Sequence, residues 1–474
     1  MQNLEHSRSG FLQETDFFNS KDAQKQKSKN VFFLGIGGVS MSALARFSHS
    51  LGFAVSGSDR SRQGLSALRR EGIRAIFGHR AENLPEGCDL LVYSLAIPAD
   101  CPEYLAARAR GVPAVSRAEY LGALMPLFHH RIGIAGSHGK STVTAMVERI
   151  FSFAYRYPTV FSGAPLSVGS QDSYRPGGRE TLIFEACEYK DSFLRFSPTV
   201  AVALDLELDH TDYFPSLAAL KKSFGAYLSR ADLAVLSADD ENLKEILPSL
   251  TARKVVLFGE SARADYRILH PSEDHGYYRF VLSHTGRPIA QISLNVPGRF
   301  QMSNAAAAAA VAVESGISPS LAAAALSCFS GIPRRMERIG SFLGRTVYYD
   351  YAHHPTEIAS VIRAAKQMHG EKITVLFRPH TYTRTQALFA EFAAALSEAT
   401  SGFLFPIDPV REDPIPGVSS ESLAAACGSL LPIPEDLSLP EFLPAALADT
   451  EGPILLLGAG DLSGVRSLLC PERA

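Results

Sequence analysis

GSHGKST, residues Gly136 to Thr142, joins the apolar run RIGIAG directly to a segment beginning TVTAMVERIF. An apolar strand that gives way through small residues to an amphipathic helix is the strand–turn–helix unit of an α/β layer. The small residues let backbone N–H groups turn toward phosphate oxygens, the new helix adds its positive end, and Lys140 supplies a mobile, exposed cation. Ser141 can then offer a hydroxyl to Mg²⁺. The usual phosphate loop has four residues between its glycines, whereas Gly136 and Gly139 are separated by two, which makes this a shortened form. A glycine turn that merely opens a helix is the alternative; the GKS ending in this setting favours phosphate.

Upstream, NVFFLGIGGVSMSALARFSHSLGFAVSGSD reads as strand, glycine turn, amphipathic helix around Met41, Leu44 and Phe47, and a second strand. The later runs LLVYS and VPAVS continue the alternation. Gly35, Gly37 and Gly38 are similar to a dinucleotide fingerprint, with Ser40 where a third glycine would pack and Asp59 placed as a ribose-binding acid. Such a turn holds any pyrophosphate, including that of a UDP-sugar. The alternative is a turn that only packs helix on sheet.

Downstream, TLIFEACEYKDSF and TVAVALDLELDHTDYF are buried strands that end in polar clusters, with Glu185 and His210 at the ends where ligands bind in parallel sheets. A carboxylate opposite the loop hydroxyl is what Mg²⁺–ATP requires. A lone histidine suits a hard cation less well, so His210 on its own reads as structural. NVPGRFQMSNAAAAAAVAVESG is a turn and an Ala-rich helix whose run Ala305 to Ala310 favours close packing. A third alternation follows: VYYDYA (strand), PTEIASVIRAAKQM (helix), KITVLF (strand), TQALFAEFAAALSEA (one helix), GFLFPI (strand) and ILLLGAGDL (closing strand). Asp350, Tyr351, His353 and His354 follow one of these strands, and Arg378, His380 and Arg384 follow another. Repeated placement on one sheet edge favours a site over a solvated loop.

The chain has 474 residues, which implies about three domains. The expected division is a polar, mobile extension over residues 1–30, then units at 31–125, 126–334 and 335–474. A composition 46% hydrophobic and 20% charged with net charge −3 offers no electrostatic basis for nucleic acid or an anionic membrane. No run approaches the roughly 18 apolar residues of a membrane span, and no signal-peptide core is present, so the cytoplasm is the expected compartment. Six scattered cysteines without CxxC pairs fit reduced thiols.

The ordered series GIGGVSMSALA, GSHGKST, EACEYKDSFL, DLELDHTDYF, GRFQMSNAAAA, GIPRRMERIG, YDYAHHPTEI, RPHTYTRT and LLLGAGDL resembles the Mur ligase family, and within it the alanine-adding branch, from about residue 31 to 465. The resemblance implies a Rossmann-like N-terminal domain for a UDP-sugar, a central P-loop ATPase-type mixed α/β domain, and a Rossmann-like C-terminal domain that closes the site. It implies ATP and Mg²⁺ as cofactors. The partners would be UDP-N-acetylmuramate and L-alanine, joined through an acyl phosphate during peptidoglycan precursor synthesis by a monomer or weak homodimer. By motif, the ATP residues would be Gly136, Ser137, His138, Gly139, Lys140, Ser141, Thr142, Asn304, Arg335 and Asp350. The UDP-sugar residues would be Gly35, Ile36, Gly37, Gly38, Ser58, Asp59 and Ser94, and the amino-acid residues Tyr351, His353, Arg378, His380 and Arg384. Metal would fall to Ser141, Glu185 and His210, which reverses the structural reading of His210. Catalysis would fall to Lys140, Glu185, His210, His353 and Arg384.

Some positions depart from the family pattern. Ser137 and Ser141 replace threonines but keep their hydroxyls, Cys187 stands where an aspartate is usual and leaves the role of Glu188 open, and Asp205 replaces an asparagine-containing segment. Lys221 and Lys222 lie near the place of a carbamylated lysine found in other branches, and neither is assigned that role. Within the family the runner-up is the ligase that attaches a tripeptide to the same sugar nucleotide in murein recycling. Outside it, a nicotinamide-dependent dehydrogenase leaves GSHGKST and DLELDHTD unexplained, and a P-loop regulatory protein would bind ATP without chemistry.

Overall fold

The computed structural model describes residues 28–210, 213–434 and 437–471. The expected extension lies outside the described residues as far as residue 27. Asn30, its last member, opens the first strand.

Three sheets carry the α/β fold. The first contains β1 (Asn30–Leu34), β2 (Ala54–Asp59), β3 (Arg74–Phe77), β4 (Leu90–Tyr93) and β5 (Ala114–Ser116), all parallel, in the order β3-β2-β1-β4-β5. Strand order reverses between β1 and β4, so a crevice opens beyond their carboxyl ends. Helix α1 (Val39–Ser50) starts directly after the glycine turn and buries Met41, Leu44 and Phe47.

The central sheet runs from β6 (His130–Ala135) through β7 (Pro158–Phe161), β8 (Tyr174–Arg175), β9 (Gly178–Glu185), β10 (Val200–Ala203), β11 (Leu233–Ser237) and β12 (Lys254–Gly259) to β13 (Tyr266–Asp274), β14 (Tyr277–His284) and β15 (Arg287–Pro297). Its order is β15-β14-β13-β12-β11-β10-β6-β9-β7-β8. Strand β6 is parallel to β10 on one side and to β9 on the other, so whatever follows those two strands converges on the loop that follows β6. Helix α2 (Lys140–Phe153) turns Val143, Met146, Val147, Ile150 and Phe151 inward and packs against α3 (Phe300–Glu314). In α3, Ala305 to Ala310 are all buried; a run of methyl side chains lets the two helices approach closely.

Strands β13 to β15 have no counterpart in the sequence reading. They form an antiparallel meander closed by two-residue turns at His275–Gly276 and Thr285–Gly286, all four residues at positive φ, the conformation a right-twisted hairpin prefers.

The third sheet comprises β16 (Glu337–Phe342), β17 (Arg345–Asp350), β18 (Thr374–Phe377), β19 (Ser401–Leu404), β20 (Leu431–Pro432) and β21 (Ile454–Leu457), ordered β16-β17-β21-β18-β19-β20. Only β16 is antiparallel to its neighbour. Helix α4 (Pro355–His369) covers one face. The single helix expected over TQALFAEFAAALSEA is instead two, α5 (Tyr382–Ala387) and α6 (Phe389–Ser397), broken where Leu388 leaves helical geometry. Polar tethers orient the first piece, Thr383 to Glu412 and Arg384 to Asp209, while burial of Phe392 and Leu396 orients the second.

The first and central units share one apolar cluster, which holds Val31 and Phe33 of β1 together with Phe184 of β9 and Tyr227. The third unit has cores of its own. Its named links to the phosphate loop are therefore polar.

Candidate active site

Gly139 caps α2 in the left-handed region at φ 78°, and a Cβ there would lie 2.7 Å from Asn304 Oδ1. The loop thus needs glycine for both its turn and its contact with α3. Asp205, just past β10, accepts the His138 N–H at 2.9 Å, and the Ser137 hydroxyl donates to the Glu207 carbonyl at 3.0 Å.

Lys140 is not the exposed cation expected from its place in a loop. It is the first residue of α2, its side chain is only 18% exposed, and its ammonium donates to the Gly136 and Ser137 carbonyls and pairs with Glu188 at 3.2 Å. Burial opposes its charge, but Glu188 more than compensates and holds its pKa above that of an ordinary lysine. Glu188 is buried as well; burial would raise its pKa, yet Lys140 and His210 bring it below the ordinary value. His210 Nε2 lies 3.6 Å from the same carboxylate, and its ring rests 4.7 Å from that of Tyr189. The acid beside Lys140 and His210 is therefore Glu188, three residues beyond the last residue of β9, Glu185.

Glu185 acts on Lys140 through its charge and makes hydrogen bonds of its own. Its Oε1 accepts from Ser162 Oγ at 2.8 Å and from the Gly163 N–H at 2.6 Å, and its Oε2 takes no hydrogen bond from any described residue.

A cavity of about 310 Å³ lies beside the loop. It brings together His138, Gly139, Thr142, Asn304, Arg335 and Asp350 from the ATP set, across the seam between the central and third units. Asp205, Asp239, Phe300 and Glu357 also line it and were not foreseen. Asp350 accepts the N–H groups of Met336 at 2.6 Å and Ala352 at 2.8 Å, and burial raises its pKa to about 6.

Outside the lining of this cavity, Arg384 forks onto Asp209, Nη2 to Oδ1 at 2.9 Å and Nε to Oδ1 at 3.1 Å. Burial would raise the Asp209 pKa, but Arg384 drives it well below the usual carboxylate range. His380 Nδ1 is 3.3 Å from Arg384, and the His353 ring lies 6.3 Å from that of His380. His353 Nδ1 donates to the Tyr351 carbonyl at 3.0 Å, and burial lowers its pKa to about 3, so it is a neutral imidazole whose Nε2 carries a lone pair. Tyr351 stacks under the Arg334 guanidinium at 4.6 Å. Arg378 does not join this group by any hydrogen bond; it donates to the Asp461 carbonyl at 2.8 Å beside the loop after β21.

In the first unit, the N–H groups of Gly35 and Ile36 both reach the Ser58 carbonyl, at 2.8 and 3.1 Å, and Gly37 donates to Asp59 Oδ2 at 2.9 Å. Gly38 caps α1. The Ile36 side chain is buried in the core and the Ser58 hydroxyl is tied to buried Glu103 at 2.8 Å, so both can present backbone only. Ser94 follows β4 across the crevice, and its Oγ accepts from Ala96. Lys221 is paired with Glu245. The six cysteines are all free thiols.

Three family descriptions match in succession: the Mur ligase catalytic domain over residues 30–129, the Mur ligase middle domain over 134–312, and the C-terminal domain described as a glutamate ligase domain over 334–457. The chain belongs to the Mur ligase family. A UDP-N-acetylmuramate–L-alanine ligase of Agathobacter rectalis is 36% identical over 84% of this Mur ligase and 87% of its own length. One of Desulfatibacillum aliphaticivorans is 35% identical over 95% and 100%. The crystal structure of a UDP-N-acetylmuramate–alanine ligase from Thermotoga maritima superposes with a TM-score of 0.76 at 27% identity, covering 92% of this Mur ligase and 97% of that chain. A murein peptide ligase from Psychrobacter arcticus shares the fold, with a TM-score of 0.69 at 22% identity over 93% and 98%.

Three acids of the Mur ligase site, Glu207, Asp209 and Glu357, escaped the motif reading, and a fourth, Glu188, had been noted without a role. Each is an acid next to a residue that was singled out. Their signal was unbalanced charge, since Lys140, His138 and Arg384 are buried cations that need carboxylates facing them.

Proposed function

We propose that this Mur ligase uses ATP to join L-alanine to the lactyl carboxylate of UDP-N-acetylmuramate, giving UDP-N-acetylmuramoyl-L-alanine, ADP and phosphate. The observation that carries the proposal is the convergence of Lys140, Glu188 and His210 beside the Asp209–Arg384 fork, with a nucleotide-sized cavity adjoining. A phosphoryl donor, an anionic acceptor and an amine can then meet at one seam.

Transfer of the γ-phosphoryl group to a carboxylate brings two anions together, and Lys140 supplies the positive charge that this requires. Glu188 keeps that ammonium charged and in place beforehand. The donor set fits Mg²⁺, because the Ser141 hydroxyl and Glu185 Oε2, free of other described donors, are the oxygen ligands a hard cation prefers, and His210 stands at the acceptor side. When bound, Mg²⁺ would neutralise phosphate charge. The ammonium of L-alanine must lose a proton before it attacks the acyl phosphate carbon and phosphate departs; His353, too weak a base at a pKa of about 3 to store that proton, would border the amine through its Nε2 lone pair. Arg384 and His380 would hold the acyl phosphate and the amino acid, with Tyr351 and Arg378 bordering them. Gly35, Gly37, Gly38, Asp59 and Ser94 line the crevice for the UDP moiety. The residue ranges 31–125, 126–334 and 335–474 are proposed as the corresponding domains.

The test is ADP release by purified protein with ATP, Mg²⁺ and UDP-N-acetylmuramate, with L-alanine, glycine, L-serine or the tripeptide as amine. Release that requires L-alanine supports the reading. Release only with the tripeptide establishes the recycling activity instead, and release indifferent to the amine refutes ligation.

A further inference from the structure

His138, in the phosphate loop, faces carboxylates from two units. Its Nε2 lies 3.0 Å from Glu207 Oε2 and its Nδ1 3.2 Å from Glu357 Oε1. Glu357 belongs to the first turn of α4 in the third unit, and its side chain is 10% exposed. The same carboxylate is 3.4 Å from Arg335 Nη1 and accepts the backbone N–H of His353 at 3.1 Å. One acid therefore touches two residues of the proposed nucleotide site and one of the proposed amino-acid site. The joint has a second strand, because Thr356 Oγ1 donates to Glu207 Oε2 at 2.8 Å and His354 Nδ1 is 3.3 Å from that oxygen. His138, Glu207 and His354 have the makings of a metal-ligand set, with ligand atoms within 4.8 Å of one another. Yet His138 is clamped between two carboxylates, and Glu207 already receives a hydroxyl donor, so the arrangement is an ion-pair joint.

We propose that Glu357 is a positioning residue that couples the phosphate loop to the amino-acid pocket, so that nucleotide and L-alanine each strengthen the binding of the other. The proposal rests on the ligase reading for the identity of the two ligands. A buried carboxylate is tolerated only while cations and N–H donors face it. His138 and Arg335, once fixed by a nucleotide, fix Glu357, and Glu357 fixes the backbone of His353. Linkage then makes the effect reciprocal: alanine must tighten nucleotide binding by the factor by which nucleotide tightens alanine.

The experiment is calorimetric. The Kd of β,γ-imido-ATP with Mg²⁺ is measured at saturating UDP-N-acetylmuramate, without and with saturating L-alanine, for wild type, Glu357→Gln and Glu357→Asp. The expected Kd ratio is about 5 or more for wild type, near unity for Glu357→Gln, which removes the charge at constant size, and intermediate for Glu357→Asp. A wild-type ratio near unity overturns the proposal. So does a Glu357→Gln protein that melts lower but keeps the wild-type ratio, which is the behaviour of a merely structural acid. If Glu357→Gln does not fold, an undiminished ratio in Glu357→Asp has the same force. Product formation by wild type is followed separately: its absence refutes the ligase reading, whereas product without coupling refutes only the role of Glu357.

Discussion

The turn after β1 and the turn after β6 are built alike. Each follows a buried parallel strand, opens a helix, and has one N–H held by a carboxylate from a neighbouring strand end, Gly37 by Asp59 and His138 by Asp205, both at 2.9 Å. They differ in charge. The turn after β6 contains Lys140 and a buried acid to match it, while Gly35 to Gly38 contain no ionisable side chain. A pyrophosphate that is only held needs N–H groups and a helix end. A phosphoryl group that is transferred also needs its developing charge neutralised, and in the proposed reaction the Lys140–Glu188 pair meets that requirement.

The largest effect expected on that contrast comes from Lys140→Met, which should lower ligation by about three powers of ten. Because Lys140 is paired rather than exposed, it should also destabilise the protein, by about 3 kcal/mol for a buried partner left alone. Lys140→Met/Glu188→Gln should regain much of that stability and none of the activity. Melting curves beside ADP-release rates would check both, and a single mutant as stable as wild type would mean that the pair is not formed.

His210→Ala should come next, with turnover reduced about a hundredfold and a displaced Mg²⁺ or Mn²⁺ titration. A titration that superimposes on wild type, combined with a lowered melting temperature, would return His210 to a structural role. Asp59→Ala tests the other turn: KM for UDP-N-acetylmuramate should rise about tenfold, with KM for ATP unchanged. Equal effects on both would show that the two turns are not separate subsites.

The two turns also differ in how much of each was legible. Glycines, the GKS ending and the switch from strand to helix are local signals, and the turn from Gly136 to Thr142 could be read without any partner. What could not be read was the partner across the seam. Lys140 looks like a free cation in sequence because Glu188 is 48 positions away and reaches it only when β9 pairs with β6. Nothing near Arg384 in sequence shows that Asp209, 175 positions away in another unit, pairs with its guanidinium. The meander of β13 to β15 was missed for a different reason: its turns, His-Gly and Thr-Gly, lack the asparagine or aspartate that usually marks a two-residue hairpin.

A smaller, pH-dependent effect belongs to the turn after β6 alone. Burial would lower the His138 pKa, but Asp205, Glu207 and Glu357 raise it well above the ordinary histidine value. With the folded pKa above the unfolded one, the stabilisation is full below about pH 6.5 and is lost as pH rises through the folded value. Wild type should therefore lose its melting advantage over His138→Gln on the alkaline side, by on the order of 2 °C. A constant difference from pH 6 to 10 would count against a protonated His138.

The smallest effect expected is from shortening the N-terminus, and where the cut falls decides which turn feels it. Residues 1–27 are polar and aperiodic in sequence, so their removal should leave turnover and melting unchanged. A cut through Asn30 is different. Asn30 is the first residue of β1; its N–H donates to Asp89 Oδ2 at 2.7 Å and its Nδ2 to the Gly87 carbonyl at 3.0 Å. Those bonds tie β1 to the segment entering β4, the two strands between which the crevice proposed for the sugar nucleotide opens. Loss of residues 1–30 should thus raise KM for UDP-N-acetylmuramate a few-fold while KM for ATP stays put, since β6 and its turn lie in another sheet. If both cuts behave alike, the strand start contributes nothing to the first turn; if the shorter cut already impairs turnover, residues 1–27 have a partner in the folded protein.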